Sequence, residues 1–175
     1  ISYVDPSQGP PGQYITIFGS NFGTTAGTVE FLKSDGTKVI GDTSFPAVCK
    51  DVNYWQDTSV TVKVPATFAG GSSTKGITFS LQIKRSDAIT SNTISFPINS
   101  NTPTPGICGL SPDNGPIGTA VKILGEKFES TGSVTFYNKV AGTVTAWGSE
   151  VVSTKVPTGA VSGPVKVTVN STYSN

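Results

Sequence analysis

Eleven carboxylates, two cysteines and no histidine define the chemistry open to this 175-residue chain. Without imidazole it lacks the commonest general base and the commonest metal ligand. Cys49 and Cys108 cannot by themselves make a structural zinc site. The hydroxyls have no histidine to activate them, and no Gly-x-Ser-x-Gly turn is present. The carboxylates show no calcium-loop spacing. Asp5, Asp57 and Asp113 stand beside turn residues, where aspartate bonds its own backbone. A glycosidase needs two acids at a set separation, which a sequence does not display, and nothing favours one here. The expectation is a non-enzyme with no catalytic residue, no metal and no cofactor.

The elements that carry these residues come in two copies. Pro6-x-x-Gly9-x-x-Gly12 runs into Tyr14-Ile15-Thr16-Ile17-Phe18-Gly19-Ser20-Asn21-Phe22. The pattern returns as Pro112-x-x-Gly115-x-x-Gly118 and then Ala120-Val121-Lys122-Ile123-Leu124-Gly125-Glu126-Lys127-Phe128. Val29 and Phe31 answer to Val134 and Phe136, and Trp55, Val60 and Val64-Pro65 answer to Trp147, Val152 and Val156-Pro157. Phe31 to Trp55 spans 24 positions and Phe136 to Trp147 spans 11, so the first copy carries an insertion of about 13 residues. Each copy has roughly the 80–100 residues at which a β-sandwich closes one core.

Nearly every segment alternates with period two between Gly, Pro, Asn and Asp punctuation, and no window sustains a period of 3.6. Strands are expected at 14–18, 28–32, 59–64, 77–83 and 93–98. In the second copy they are expected at 120–124, 133–137, 142–146, 150–156 and 164–169. Ser34-Asp35-Gly36-Thr37 supplies a hairpin turn. The fold class is therefore all-β, with domains at 1–99 and 106–175 and a proline-bearing linker at 100–105, whose prolines cannot donate to a central ladder.

The ordered set Pro-x-x-Gly-x-x-Gly, alternating strand, Gly-x-x-Phe, Gly-x-Val-x-Phe, Trp and Val-Pro, occurring twice, resembles the IPT/TIG family of immunoglobulin-like domains. The resemblance implies tandem early-set sandwiches without the intersheet disulfide of antibody domains. It also implies membership of a family found in bacterial surface proteins and adhesins, polysaccharide-active enzymes, receptor ectodomains and Rel-type transcription factors. Fold does not choose among these. In such a tandem the third-to-fourth strand turn of the first domain faces the second, so the insertion could bring Cys49 to Cys108. An interdomain Cys49–Cys108 disulfide is expected, with two buried unpaired thiols as the alternative.

Trp55 and Trp147 could be sugar-stacking platforms, but their recurrence at one repeat position points to packing. Phe45 and Tyr54 make the insertion richer in aromatics than its counterpart, as a partner-binding patch or as a cluster covering the longer hairpin. Lys84-Arg85-Ser86-Asp87 reads as a charged, solvated turn. Asn170-Ser171-Thr172 fits a glycosylation sequon. A net charge of +1, with 13% charged residues scattered singly, lacks the basic stripe of a nucleic-acid binder. No apolar run approaches the roughly 18–20 residues of a membrane span, so no direct membrane insertion is expected.

Two features concern the ends. The chain starts at Ile1, within an alternating segment, as expected of a processed or excised piece. The second copy reaches Ser174-Asn175 where the first still has 93–98 to run, so its last strand is expected to be missing, either through truncation of a longer parent or through donation by a neighbouring subunit. The leading expectation is a structural or adhesive spacer at the cell surface, acting through protein partners and strand addition at the second domain, with filament assembly as one form. The alternatives are an accessory module of a secreted polysaccharide-active enzyme that contacts surface glycan, and a receptor ectodomain segment.

Overall fold

The computed structural model describes residues 1–67 and 71–175. They form two compact units: Ile1–Ser44 with Asn53–Pro103, and Phe45–Val52 with Thr104–Asn175. The sequence boundaries differ from these at the linker, which divides after Pro103, and at the insertion. Residues 45–52, which the sequence counts as part of the first copy's insertion, pack as part of the second unit.

In the first unit, β1 (Tyr3–Asp5), β2 (Tyr14–Phe18) and β5 (Ser59–Lys63) form one antiparallel sheet. The other contains β3 (Thr28–Leu32), β4 (Lys38–Ile40), β6 (Thr78–Lys84) and β7 (Ile94–Pro97), in the order β4-β3-β6-β7. Period-two alternation sends Val4, Ile15, Ile17, Val60 and Val62 inward from the first sheet, and Val29, Phe31, Phe79, Leu81, Ile83 and Phe96 inward from the second. Burying each such side chain stabilises the unit by about 1.5–3 kcal/mol. Phe31 sits edge-on to Phe79 at 5.9 Å and to Phe96 at 5.8 Å, the offset geometry that aromatic quadrupoles favour. The β3–β4 hairpin turns at Gly36, whose φ of +86° a side chain would resist. Lys33, and after it Thr37, hold the exposed Asp35 carboxyl beside that turn well below the usual carboxylate range.

In the second unit, β8 (Gly106–Ser111), β9 (Ala120–Glu126), β11 (Thr143–Trp147) and β12 (Val151–Lys155) pair in the order β11-β12-β9-β8. The facing sheet is β10 (Ser133–Thr135), β13 (Lys166–Val169) and the two-residue β14 (Thr172–Tyr173), in the order β10-β13-β14. The copies keep one path after their third strand. A hairpin folds back onto that strand, β4 onto β3 and Ala141 onto Thr135, and the chain then crosses to the edge of the other sheet, at Asp42 and Trp55 beside β5 and as β11 beside β12.

One device is built twice. Gly19 and Gly125 lie under the rings of Phe22 and Phe128, and a Cβ there would come within 2.5 Å and 2.7 Å of the ring carbons. The indole N–H of Trp55 donates to the Phe22 carbonyl at 3.2 Å, and that of Trp147 donates to the Phe128 carbonyl at 2.9 Å. Each tryptophan thus satisfies a carbonyl that the bend leaves without a ladder partner. Trp55 is 2% exposed, so it is a core residue and no sugar platform.

Candidate functional site

Two surfaces stand out, one in each unit. The first is the outer face of β1-β2-β5. With Val4, Ile15, Ile17, Val60 and Val62 turned inward, the alternate residues face outward, and register sets Tyr3, Phe18 and Ser59 in one row and Asp5, Thr16 and Thr61 in the next. Tyr3 and Phe18 stack at 4.6 Å with 16° between their planes, and Tyr3 remains 47% exposed. The Thr16 and Thr61 hydroxyls share a hydrogen bond at 3.1 Å. A flat aromatic surface beside hydroxyl and carboxylate groups can stack on the apolar face of a sugar ring while its neighbours bond the sugar hydroxyls. Sequence reading missed this pair. The signal was available, since both aromatics occupy non-core positions of alternating segments, but their adjacency depends on the β1–β2 register.

The second surface is a groove of about 410 Å³ in the second unit, floored by Leu110, Val121, Phe136, Val156 and Val165, with Ile117 at its lip. Every one of these has a repeat counterpart in the first unit: Val4, Ile15, Phe31, Val64, Leu81 and Pro11. Their exposure differs. Phe31 and Leu81 are 0% exposed, whereas Phe136 and Val165 are 8% and 9%. Ile117 and Val161, on the groove's margin, are 57% and 54% exposed. In the first unit β7 covers this surface with Phe96 and Ile98, which are 0% and 2% exposed.

Beside the groove lies a second duplicated device. In the first unit the Ser91 N–H donates to the Ile83 carbonyl at 2.9 Å and its Oγ accepts from the Ile83 N–H at 3.0 Å. The Asn92 amide then bridges the backbone of Ile1, accepting from its ammonium and donating to its carbonyl. In the second unit Ser174 does the same to Val167, at 2.9 Å and 3.0 Å. Asn175 accepts from the Ile107 N–H at 2.7 Å and donates to the Ile107 carbonyl at 2.9 Å. This Ser-Asn clasp was not foreseen, because a polar pair in a turn-rich stretch carries no sequence signal of what it will bond.

The sequence-selected residues fall as follows. Cys49, in a short 3-10 turn (Ala47–Cys49), is joined to Cys108 of β8 by a disulfide across a sequence separation of 59. Both belong to the second unit, so the bond holds residues 45–52 to β8 within one compact body, where the sequence placed it between domains. Phe45 and Tyr54 are each partly buried, but Phe45 belongs to the second unit and Tyr54 packs against the first unit's core. Asn170 is exposed in the β13–β14 turn, and it and Ser171 have φ of +48° and +63°. Those angles fit a two-residue hairpin turn, for which asparagine is suited. The Arg85 guanidinium spans the turn to Asp87 at 2.9 Å. Among the described residues no group of three His, Cys, Asp or Glu is placed to hold a metal ion, and no helix is long and apolar enough to cross a membrane.

Comparison with known proteins gives this architecture its context. The chain is similar over part of its length to the cyclomaltodextrin glucanotransferase of Thermoanaerobacterium thermosulfurigenes, 37% identical over 93 residues, which is 53% of this chain and 10% of that protein. A glucanotransferase of Niallia circulans is 39% identical over 71 residues, 41% of this chain and 8% of its own length. The chain thus spans about a tenth of these relatives. Among solved structures, γ-CGTase from alkalophilic Bacillus clarkii superposes with a TM-score of 0.43 at 17% identity, covering 97% of this chain and 23% of that one. A surface glycan-binding protein from Prevotella bryantii gives 0.36 at 14% identity, covering 95% and 36%. The IPT/TIG domain model matches residues 1–98, and with its glycine turns, Phe–Trp lock and paired antiparallel sheets the chain belongs to the IPT/TIG domain family.

Proposed function

We propose that this chain is a non-catalytic accessory module that contacts polysaccharide outside the cell, with catalysis left to other domains or proteins. The observation that carries the reading is the likeness of part of the chain to a segment of enzymes named for transferring glucan. The stacked Tyr3–Phe18 pair, set among Asp5, Thr16 and Ser59, is the surface best suited to the contact. The buried disulfide suits an oxidising compartment.

Affinity electrophoresis through gels containing soluble starch tests this. Wild-type protein should be retarded, Tyr3→Phe should retain most of the retardation, and Tyr3→Ala should lose it by about tenfold in affinity, the scale of one stacked aromatic. Migration unaffected by starch, with maltodextrins also failing to bind in solution, would refute the reading.

A structural, adhesive role is the second reading. It is favoured by the duplication of one compact β-sandwich along the chain, which lends itself to a spacer. Occupancy of Asn170 by glycan would favour a receptor-like setting instead.

A further inference from the structure

Resting on the polysaccharide reading above, we infer that the outer face of β1-β2-β5 is a two-row track for an uncharged glucan chain. Residues 45–52 are a strap that closes the equivalent face of the second unit, so the chain carries one track and not two.

The two units share one register on this face. Tyr3 pairs with Phe18 and Phe18 with Ser59, as Gly109 pairs with Leu124 and Leu124 with Val151. One row along, Asp5, Thr16 and Thr61 answer to Ser111, Lys122 and Ser153. Equivalent backbones thus present different chemistry.

In the second unit the face is occupied by the chain itself. The 3-10 turn at Ala47–Cys49 packs on β9, and its disulfide to Cys108 pins it one residue before Gly109. Val52 lies directly over Gly109, where a Cβ would stand 2.8 Å from the Val52 Cβ. Leu124 alternates with the core residue Ile123 and so points outward, yet it is only 9% exposed. A Gly–Leu–Val row is a seat for an aliphatic side chain.

The first unit cannot seat such a strap. Tyr3 stands where glycine admits Val52, and its ring fills the seat by stacking on Phe18. What this face offers is aromatic carbon beside hydroxyls: Ser59 next to Phe18, and the bonded Thr16–Thr61 pair one row away, roughly 7 Å along the strands. A sugar has an apolar C–H face and a hydroxyl rim, so one ring can stack on the aromatics while the next meets the threonines. Charge narrows the class. Asp5 places a carboxylate in the second row, while Lys63 of the same face is held by Asp42 at 3.7 Å and donates to the Ser44 carbonyl. A uronate chain would meet a like charge there, and an uncharged glucan would not.

The test is a titration of isotope-labelled protein with maltohexaose, read from its amide spectrum. Tyr3, Thr16, Phe18 and Thr61 should shift, Gly109, Leu124 and Val151 should stay fixed, and one site per chain should fill. Installing the second unit's pair, Tyr3→Gly with Phe18→Leu, should weaken binding at least about tenfold. Thr16→Val with Thr61→Val, which leaves the aromatics in place, should weaken it about three- to tenfold. Polygalacturonate should leave the spectrum unchanged. Gly109→Tyr, with Trp147 fluorescence showing the unit still folded, should speed exchange of the Val52 amide at least about tenfold and leave maltohexaose affinity unaltered. A second site, shifts at Leu124 or Val151, wild-type affinity in the threonine variant, or binding of polygalacturonate would overturn the inference while the polysaccharide reading stood. Unchanged Val52 exchange in Gly109→Tyr would overturn the strap. Failure of every residue to respond to maltohexaose would sink the track and the polysaccharide reading together.

Discussion

Replacing Phe96 by alanine asks whether β7 closes the first unit as the packing says. Phe96 is 0% exposed and stands 5.8 Å from the Phe31 ring, edge to face. Truncation removes a ring that nothing else can replace, since the surrounding strands are held by their ladders. Losses for buried phenylalanine run to about 3–5 kcal/mol, the transfer of the ring and the residual cavity together. In a domain of this size each kcal/mol lowers the melting temperature by roughly 4–8 °C, so even the smallest loss predicts a fall of about 12 °C. Phe96→Leu keeps most of the volume and should cost about 1–2 kcal/mol. Trp55 belongs to the same core, so its fluorescence in a Trp147→Phe background reports the first unit alone. A fall below about 4 °C for Phe96→Ala would show that the ring is not enclosed.

Two further outcomes follow from bonds outside that core. Replacing Cys49 and Cys108 together by alanine releases a loop closed over 59 residues; the chain-entropy estimate is about 4 kcal/mol, and urea unfolding of oxidised protein against the double variant should show most of it. A difference under about 1 kcal/mol, with thiols titrating in unreduced protein, would contradict the bond. Asp42 supplies a pH test. Burial raises the pKa of its carboxyl, but the Ser44 hydroxyl and N–H and then the Lys63 ammonium more than offset this, leaving it below 3.8. The carboxylate therefore contributes stability that is fully present above pH 3.8 and is lost as pH falls through the lower folded-state value. Asp42→Asn should flatten part of the acid limb of a urea-midpoint profile, and an unchanged limb would show the contacts to be without energetic effect.

Much of the architecture was legible because alternation and glycine spacing are local. β2 and β3 fall on the residues their pattern marks, since Ile15, Ile17, Val29 and Phe31 alternate with polar or outward neighbours. The short ladders were harder. β4 and β11 have no pattern that distinguishes a hairpin partner from a strand in the opposite sheet, because period two names a face and never a neighbour. The candidate sites were less visible still. Tyr3 and Phe18 meet only through register, and Ser91-Asn92 and Ser174-Asn175 find their bonds on residues up to 91 positions away.

The order of residues by itself determined a duplicated all-β module, its strand faces, its glycine-dependent turns and the packing role of both tryptophans. Each of these depends on steric and hydrophobic preferences expressed within a few residues. Only the tertiary structure decided that residues 45–52 pack with the second unit and that Tyr3 lies on Phe18. Those outcomes depend on which strand edges and apolar surfaces meet across long sequence separations, and that is settled by the packing of whole sheets.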